Sequence, residues 1–249
     1  MSNDLTEPGG KVRLYVAANL AAGADITPDA AQVHYLLHVM RARAGMRVLL
    51  FDGRAGEWQA EVTGITKHGC VLRCLKQTRP QAEVPDLWLV FAPIKKTPAD
   101  YVTQKATELG VRVLQPVFTR RTIVSRVNIE RMAANAAEAA EQSGRLSVPE
   151  VREALSFDRL LAGWPAERKL LFCDEAGEAP PIAAALSTAP SGPWAVITGP
   201  EGGFDPAERE ALRKQPFVVP VSLGSRILRA DTAALAALAV WQALCGDGR

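Results

Sequence analysis

Two glycine-bearing stretches have the residue types to hold a ligand. The first is VITGPEGGFDPAERE, Val196 to Glu210, where an apolar run enters a glycine-rich turn and a helix-like stretch leaves it. Turns of this kind present backbone N–H groups to a ligand. A phosphate loop needs Gly, four residues and then Gly-Lys-Ser/Thr, and no Lys follows these glycines. A dinucleotide turn needs G-x-G-x-x-G, which Gly199, Gly202 and Gly203 do not supply. Glu201 stands inside the turn, and a carboxylate beside phosphates is repelled by about 1 kcal/mol or more even near the surface. The turn favours a ligand that is neutral or cationic where it meets Glu201.

The second stretch is VSLGSRILRADTAALAALAVWQAL, Val221 to Leu244. Leu223, Ile227 and Leu228 supply apolar surface around Gly224 that can grip a flat base by its faces. Arg226 and Arg229 are cationic on the same loop. The helix that follows is apolar nearly all round, so it inserts into the fold, packs on a second subunit, or both. S-adenosylmethionine suits the pair of loops: it has an adenine, no phosphate and a sulfonium cation.

Other chemistry is weakly supported. Cys70, Cys74, Cys173 and Cys245 are scattered and read as free thiols. His34 and His38 are four apart, but HYLLH lacks the Glu of a zinc-protease helix, so no metal is expected. A net charge of +2 implies no partner by itself. No apolar run of membrane-spanning length and no apolar leader core is present, so the expected compartment is the cytoplasm.

The elements that must position these loops fall into two parts. Residues 1–77 read as short strands (KVRLYVA, RVLLFD, EWQAEVTGI, CVLRCLK) around one helix near Pro28 to Met40, which suggests a small barrel. The first eighty residues hold ten Lys and Arg against seven Asp and Glu, a mildly basic balance. Phe51 and Trp58 could stack on bases or simply pack in a core. Residues 78–86 carry two prolines and read as a linker. Residues 87–249 alternate strands and helices, the pattern of a parallel α/β sheet that binds ligands at the carboxyl ends of its strands. Thr97 is expected to cap the first helix there, ahead of Pro98, and Asp231 to cap the last.

GPEGGF and SLGSRILRADTA resemble the closing motifs of the bacterial 16S ribosomal RNA uridine ring-nitrogen-3 methyltransferases, a family of the knotted SPOUT class. QKATELGV (Gln104 to Val111), AAEQSGRLSVPEV (Ala139 to Val151) and HYLLHVMRARAG (His34 to Gly45) match in the same order along almost the whole chain. Asp231 stands where the family usually has Glu, and Met46 where it usually has Asp. The resemblance implies a SPOUT-type trefoil-knotted α/β parallel sheet behind an N-terminal PUA-like RNA-binding β-barrel. It implies a homodimer, an S-adenosylmethionine cofactor, and a uridine of 16S ribosomal RNA in the small subunit as substrate. The cofactor residues it points to are Thr198, Gly199, Glu201, Gly202, Leu223, Gly224, Ile227 and Leu228, with CDEAGE (Cys173 to Glu178) as the remaining loop of the site. Arg229, Arg145 and Glu201 are the candidates for catalysis. Arg13, Arg41, Arg43, Arg120, Arg121 and Arg145 are the candidates for RNA contact. Lys105 and Glu108, three apart on one helix, are either functional or a surface pair. A related knotted methyltransferase acting on a ribose hydroxyl and a non-catalytic RNA-binding assembly factor are the readings left open.

Overall fold

The computed structural model describes residues 12–66, 69–94, 96–174 and 179–248. The chain forms two compact units, residues 1–83 with 140–148, and 84–139 with 149–249.

In the first unit, β1 (Arg13–Tyr15), β2 (Asp25–Ile26), β3 (Arg47–Phe51), β4 (Glu57–Thr66) and β5 (Gly69–Arg79) form one sheet in the order β1-β3-β4-β5-β2. β5 runs to Arg79, so the strand takes the first residues assigned by sequence to the linker. Leu14 from one edge strand and Ile26 from the other enter the same core, with Val48, Leu50, Val62 and Leu72 between them. The sheet therefore curls round its own apolar face. Register shifts along β4 and β5 supply the bend. α1 (Ala30–His34) starts at a capping box between Asp29 and Gln32. It runs into a wider π-turn (Tyr35–Val39) whose Leu36 plugs the core. Arg41 follows with φ 54°, the one non-glycine residue at positive φ among those described.

Residues 140–148 group with this unit, a division that no composition shift marks. Phe51 is fully buried against Ala140 and Leu146, so it is a core residue and offers no face to a base. Trp58 is half-buried and its Nε1 donates to the Ala55 carbonyl. Arg13, expected at RNA, is buried instead. Its guanidinium pairs with Glu57 at 2.7 Å and donates to the carbonyls of Ala140, Glu141 and Arg145. The strand arginine thus reaches carbonyls in and just beyond the last turn of α3.

The second unit holds β6 (Leu87–Phe91), α2 (Lys96–Glu108), β7 (Val113–Phe118), most of α3 (Ile129–Ser143), β8 (Glu150–Val151), β9 (Leu155–Ser156), α4 (Phe157–Ala162), β10 (Lys169–Cys173), α5 (Ile182–Ser187), β11 (Trp194–Thr198), α6 (Pro206–Arg213), β12 (Val218–Val221) and α7 (Ala230–Cys245). All its strand pairs are parallel, in the order β12-β10-β11-β6-β7-β8, with β9 beside the end of β7. All five residues of β11 are buried, as in a sheet covered on both faces. Pro220 sits in edge strand β12, where a missing N–H costs least. β10 leaves room for β11, which enters between β10 and β6. After edge strand β12 the chain turns back, and α7 packs on α2, α5 and β11. This is the expected α/β architecture, a SPOUT-type trefoil-knotted sheet accompanied by a small barrel.

Neither expected cap residue stands at the position before its helix. α2 already includes Thr97. α7 begins at Ala230, so Asp231 lies in its first turn and bonds the N–H and hydroxyl of Thr232. At the far end of α7, Gln242 donates to the Leu109 carbonyl at 2.7 Å and accepts from the Asp247 N–H. Gly110 and Gly246 leave this amide its space: a Cβ would stand 2.6 Å and 1.8 Å from it.

Candidate functional site

A cavity of about 780 Å³ opens in the second unit where β10, β11 and β12 end. This is the carboxyl edge of a parallel sheet at its point of strand-order reversal, where ligands bind in such folds. Its size is in the range of small-molecule sites.

One wall is the turn after β11. Thr198 is the last strand residue, and Gly203 (φ 68°) donates to the Pro200 carbonyl at 2.9 Å to close the turn. At Gly199 a Cβ would stand 3.0 Å from the Phe204 ring, which is packed edge-on to Phe172. Asp205 and Glu208 then form the capping box that starts α6, with Pro206 in the first turn.

The facing wall is the loop after β12. Ser222 accepts from the Gly224 N–H at 3.2 Å, and Gly224 adopts φ 113°, open to a glycine and strained for other residues. Ile227 is 90% exposed, while Leu223 and Leu228 are half-buried. Arg226 and Arg229 are exposed on the same loop.

The floor is the end of β10. The Asp174 carboxylate is wholly buried and held on both oxygens, by Arg209 at 2.8 Å and by Arg213 at 2.5 Å. These two arginines, four apart on one face of α6, anchor the helix that leaves the glycine turn to the strand beside it. Desolvation pushes the Cys173 thiol up to about 12, so it is a neutral wall group at pH 7.

Seven of the eight expected cofactor residues line this cavity: Thr198, Gly199, Glu201, Leu223, Gly224, Ile227 and Leu228. Gly202 does not line it; its carbonyl instead accepts from Arg121. Arg229 and Glu201 also line the cavity, whereas Arg145 belongs to the first unit. Arg41 and Arg43 are exposed. Arg120 pairs with Asp205 at 3.2 Å, so Arg120 and Arg121 bond the helix cap and the glycine turn. Lys105 and Glu108 form the surface pair, at 2.7 Å. Cys173 and Asp174 of CDEAGE line the cavity; its last four residues lie outside those described.

Sequence reading missed Ile94 and Pro98, which follow β6 and reach the same cavity. It also missed the arginine pair on Asp174, for which the i,i+4 spacing on α6 is the available signal. Among the described residues no cluster of three His, Cys, Asp or Glu could hold a metal ion, and no helix is long and apolar enough to cross a membrane.

The walls suit a ligand with a flat apolar part and mixed charge. Leu223 and Leu228 offer faces for a ring, and Glu201 and Asp231 offer negative charge to a cation. Arg226 and Arg229 offer positive charge to a carboxylate or an anion. S-adenosylmethionine meets each of these.

Comparison with known proteins follows the same division. Residues 81–242 match the model of an RNA methyltransferase domain, and residues 28–74 that of an RNA methyltransferase PUA domain. The chain is 33% identical to the ribosomal RNA small subunit methyltransferase E of Rickettsia conorii, over 91% of this chain and 93% of that protein. It is 35% identical to its namesake from Synechocystis, over 93% of this chain and 77% of that protein. A crystal structure of the Neisseria gonorrhoeae ribosomal RNA small subunit methyltransferase E bound to S-adenosyl methionine superposes with a TM-score of 0.85 at 31% identity, covering 96% of this chain and 100% of that one. A Legionella pneumophila structure with bound SAM superposes at 0.86 with 28% identity, covering 95% and 99%.

Proposed function

Since the chain belongs to the family of ribosomal RNA small subunit methyltransferases E, we propose that it transfers a methyl group from S-adenosylmethionine to ring nitrogen 3 of a uridine in 16S ribosomal RNA. The observation that carries this reading is that both glycine loops line one cavity, on facing walls.

The bound cofactor supplies an electrophilic methyl group on a sulfonium. Gly199 and Gly224 let the backbone come close to it, while Leu223, Ile227 and Leu228 cover its base. Glu201 sets negative charge near the sulfonium or takes the substrate proton. Uridine N3 carries a proton at neutral pH and is a poor nucleophile until that proton leaves. As it leaves, negative charge spreads onto the two flanking carbonyl oxygens. Arg229, exposed at the cavity edge, stabilises that charge as an oxyanion donor would. Arg145, Arg41 and Arg43 contact RNA phosphates, and Arg145 is a second candidate for the electrostatic role.

The protein acts as a homodimer in the cytoplasm, where small subunits are found. α7 supports the dimer: Leu238 and Trp241 are buried, but Leu244 on the same helix is 40% exposed, and Ile227 in the loop before it is exposed as well.

The test is transfer of a labelled methyl group to small subunits from a strain lacking the modification, followed by nucleoside analysis. Label in 3-methyluridine is expected; label on a ribose would place the enzyme with other SPOUT methyltransferases. Single-turnover rates at saturating subunit and cofactor should fall about 10²–10³-fold in Arg229→Ala. A wild-type rate there would leave Arg229 a binding role only.

A further inference from the structure

We propose that Arg121 is a positioning residue for the cofactor turn, holding it from behind in its binding shape before ligand arrives. This rests on the assignment of that turn to S-adenosylmethionine. The cavity is lined by Gly199, Pro200 and Glu201, but not by Gly202. The Gly202 carbonyl accepts from Arg121 Nη1 at 2.9 Å instead. Gly202 is exposed, and the nearest atoms to a Cβ placed on it belong to the Arg121 side chain, at 3.6 Å and 3.7 Å.

The neighbouring residue ties the same loop a few residues further on. The Arg120 N–H donates to Glu208 Oε1 at 2.8 Å, and the other Glu208 oxygen accepts from the Asp205 N–H at 3.0 Å. Glu208 is only 5% exposed. The loop that follows β7 is itself fixed by Thr119 and Thr122, whose hydroxyls stand 2.9 Å apart. A short hydrogen-bonded loop thus clasps a turn containing three glycines.

The physical consequence follows from entropy. Glycines lose more conformational freedom on ordering than other residues. A turn left loose would have to be ordered by the ligand, and that cost would appear as weaker binding. A brace acting on the far side of the turn therefore changes cofactor affinity without touching the cofactor. An arginine that contacted RNA would instead change subunit affinity and its salt dependence.

The experiment uses S-adenosylhomocysteine as the probe, titrated calorimetrically into full-length protein. Wild-type binding tests the cofactor assignment itself; the variants test the brace. Arg121→Ala should bind the probe about five- to tenfold more weakly, the value of one hydrogen bond. Arg121→Lys, which keeps a cationic donor, should recover most of the loss. KM for S-adenosylmethionine should rise by the same factor, with kcat at saturation and KM for subunits within about twofold of wild type. In the free protein, amide exchange at Gly203 and Phe204 should quicken in Arg121→Ala and not in Arg121→Lys. Unchanged probe affinity with weakened subunit binding would overturn the proposal and make Arg121 an RNA contact. Equal loss in both variants, with exchange raised throughout the unit, would overturn it as a general fold defect.

Discussion

Arg41 occupies a conformation that glycine normally takes. Its φ of 54° follows the π-turn, and the next N–H, of Ala42, returns to the Leu36 carbonyl at 2.9 Å, as in a glycine-terminated helix end. A non-glycine residue there costs about 1 kcal/mol. No Asp or Glu lies between Asp29 and Asp52, so nothing nearby in the chain neutralises it. If the side chain is kept for an RNA phosphate, Arg41→Gly should raise the denaturation midpoint while weakening subunit binding; gain in stability with unchanged binding would remove Arg41 from the RNA surface. Gly199→Ala should act the other way round, on the cofactor, because its Cβ meets the Phe204 ring at 3.0 Å and that ring is held by Phe172. About tenfold weaker S-adenosylhomocysteine binding is expected by calorimetry. The need for glycine at 199 could be read from the turn, but its cause could not, since the ring that imposes it is set by packing. Arg13 was illegible for the same reason. Its partners lie 44 to 132 residues away, and an arginine at the start of a barrel strand looks the same whether it meets phosphate or a helix end.

At the scale of elements, residues 140–148 show how much one side chain can organise. Arg13 and Glu57 are 7% and 6% exposed, and three carbonyls at and just beyond the end of α3 share the same guanidinium. Arg13→Ala would leave a buried carboxylate and those carbonyls short of a donor. A loss on the order of 3 kcal/mol is expected in urea unfolding. A loss under about 0.5 kcal/mol would mean that water replaces the contacts. Long periodic elements are legible: the alanine-rich run from Asn128 to Ser143 reads as a helix stopped by Gly144, and α3 spans Ile129–Ser143. Two-residue strands such as β8 and β9 were not, because so short a pairing is decided by the neighbour, β7, rather than by its own residues. The caps failed at Thr97 and Asp231 because cap propensity fixes a helix start only to within a residue or two.

For the whole molecule, alternating strands and helices imply a parallel sheet, but the order β12-β10-β11-β6-β7-β8 is not legible in them, and the family resemblance implies only the knotted class. Periodicity says which face is buried and not which strand lies beside which. The site depends on that order, since it brings the ends of β10, β11 and β12 together. The exposed Leu244 and Ile227 lead to an expectation of a dimer by light scattering at micromolar concentration, and Leu244→Glu should shift it toward monomer. A wild-type monomer under those conditions would leave α7 apolar for internal packing only. The Gln242 amide has a different consequence. It latches the far end of α7 to the Leu109 carbonyl, and Gly110 and Gly246 admit no bulk beside it. Tension drawn along the chain beyond α7, as an unfolding motor would apply it, reaches this latch before it reaches the knot. Gln242→Ala should therefore yield at lower force in optical-tweezer pulling from that side.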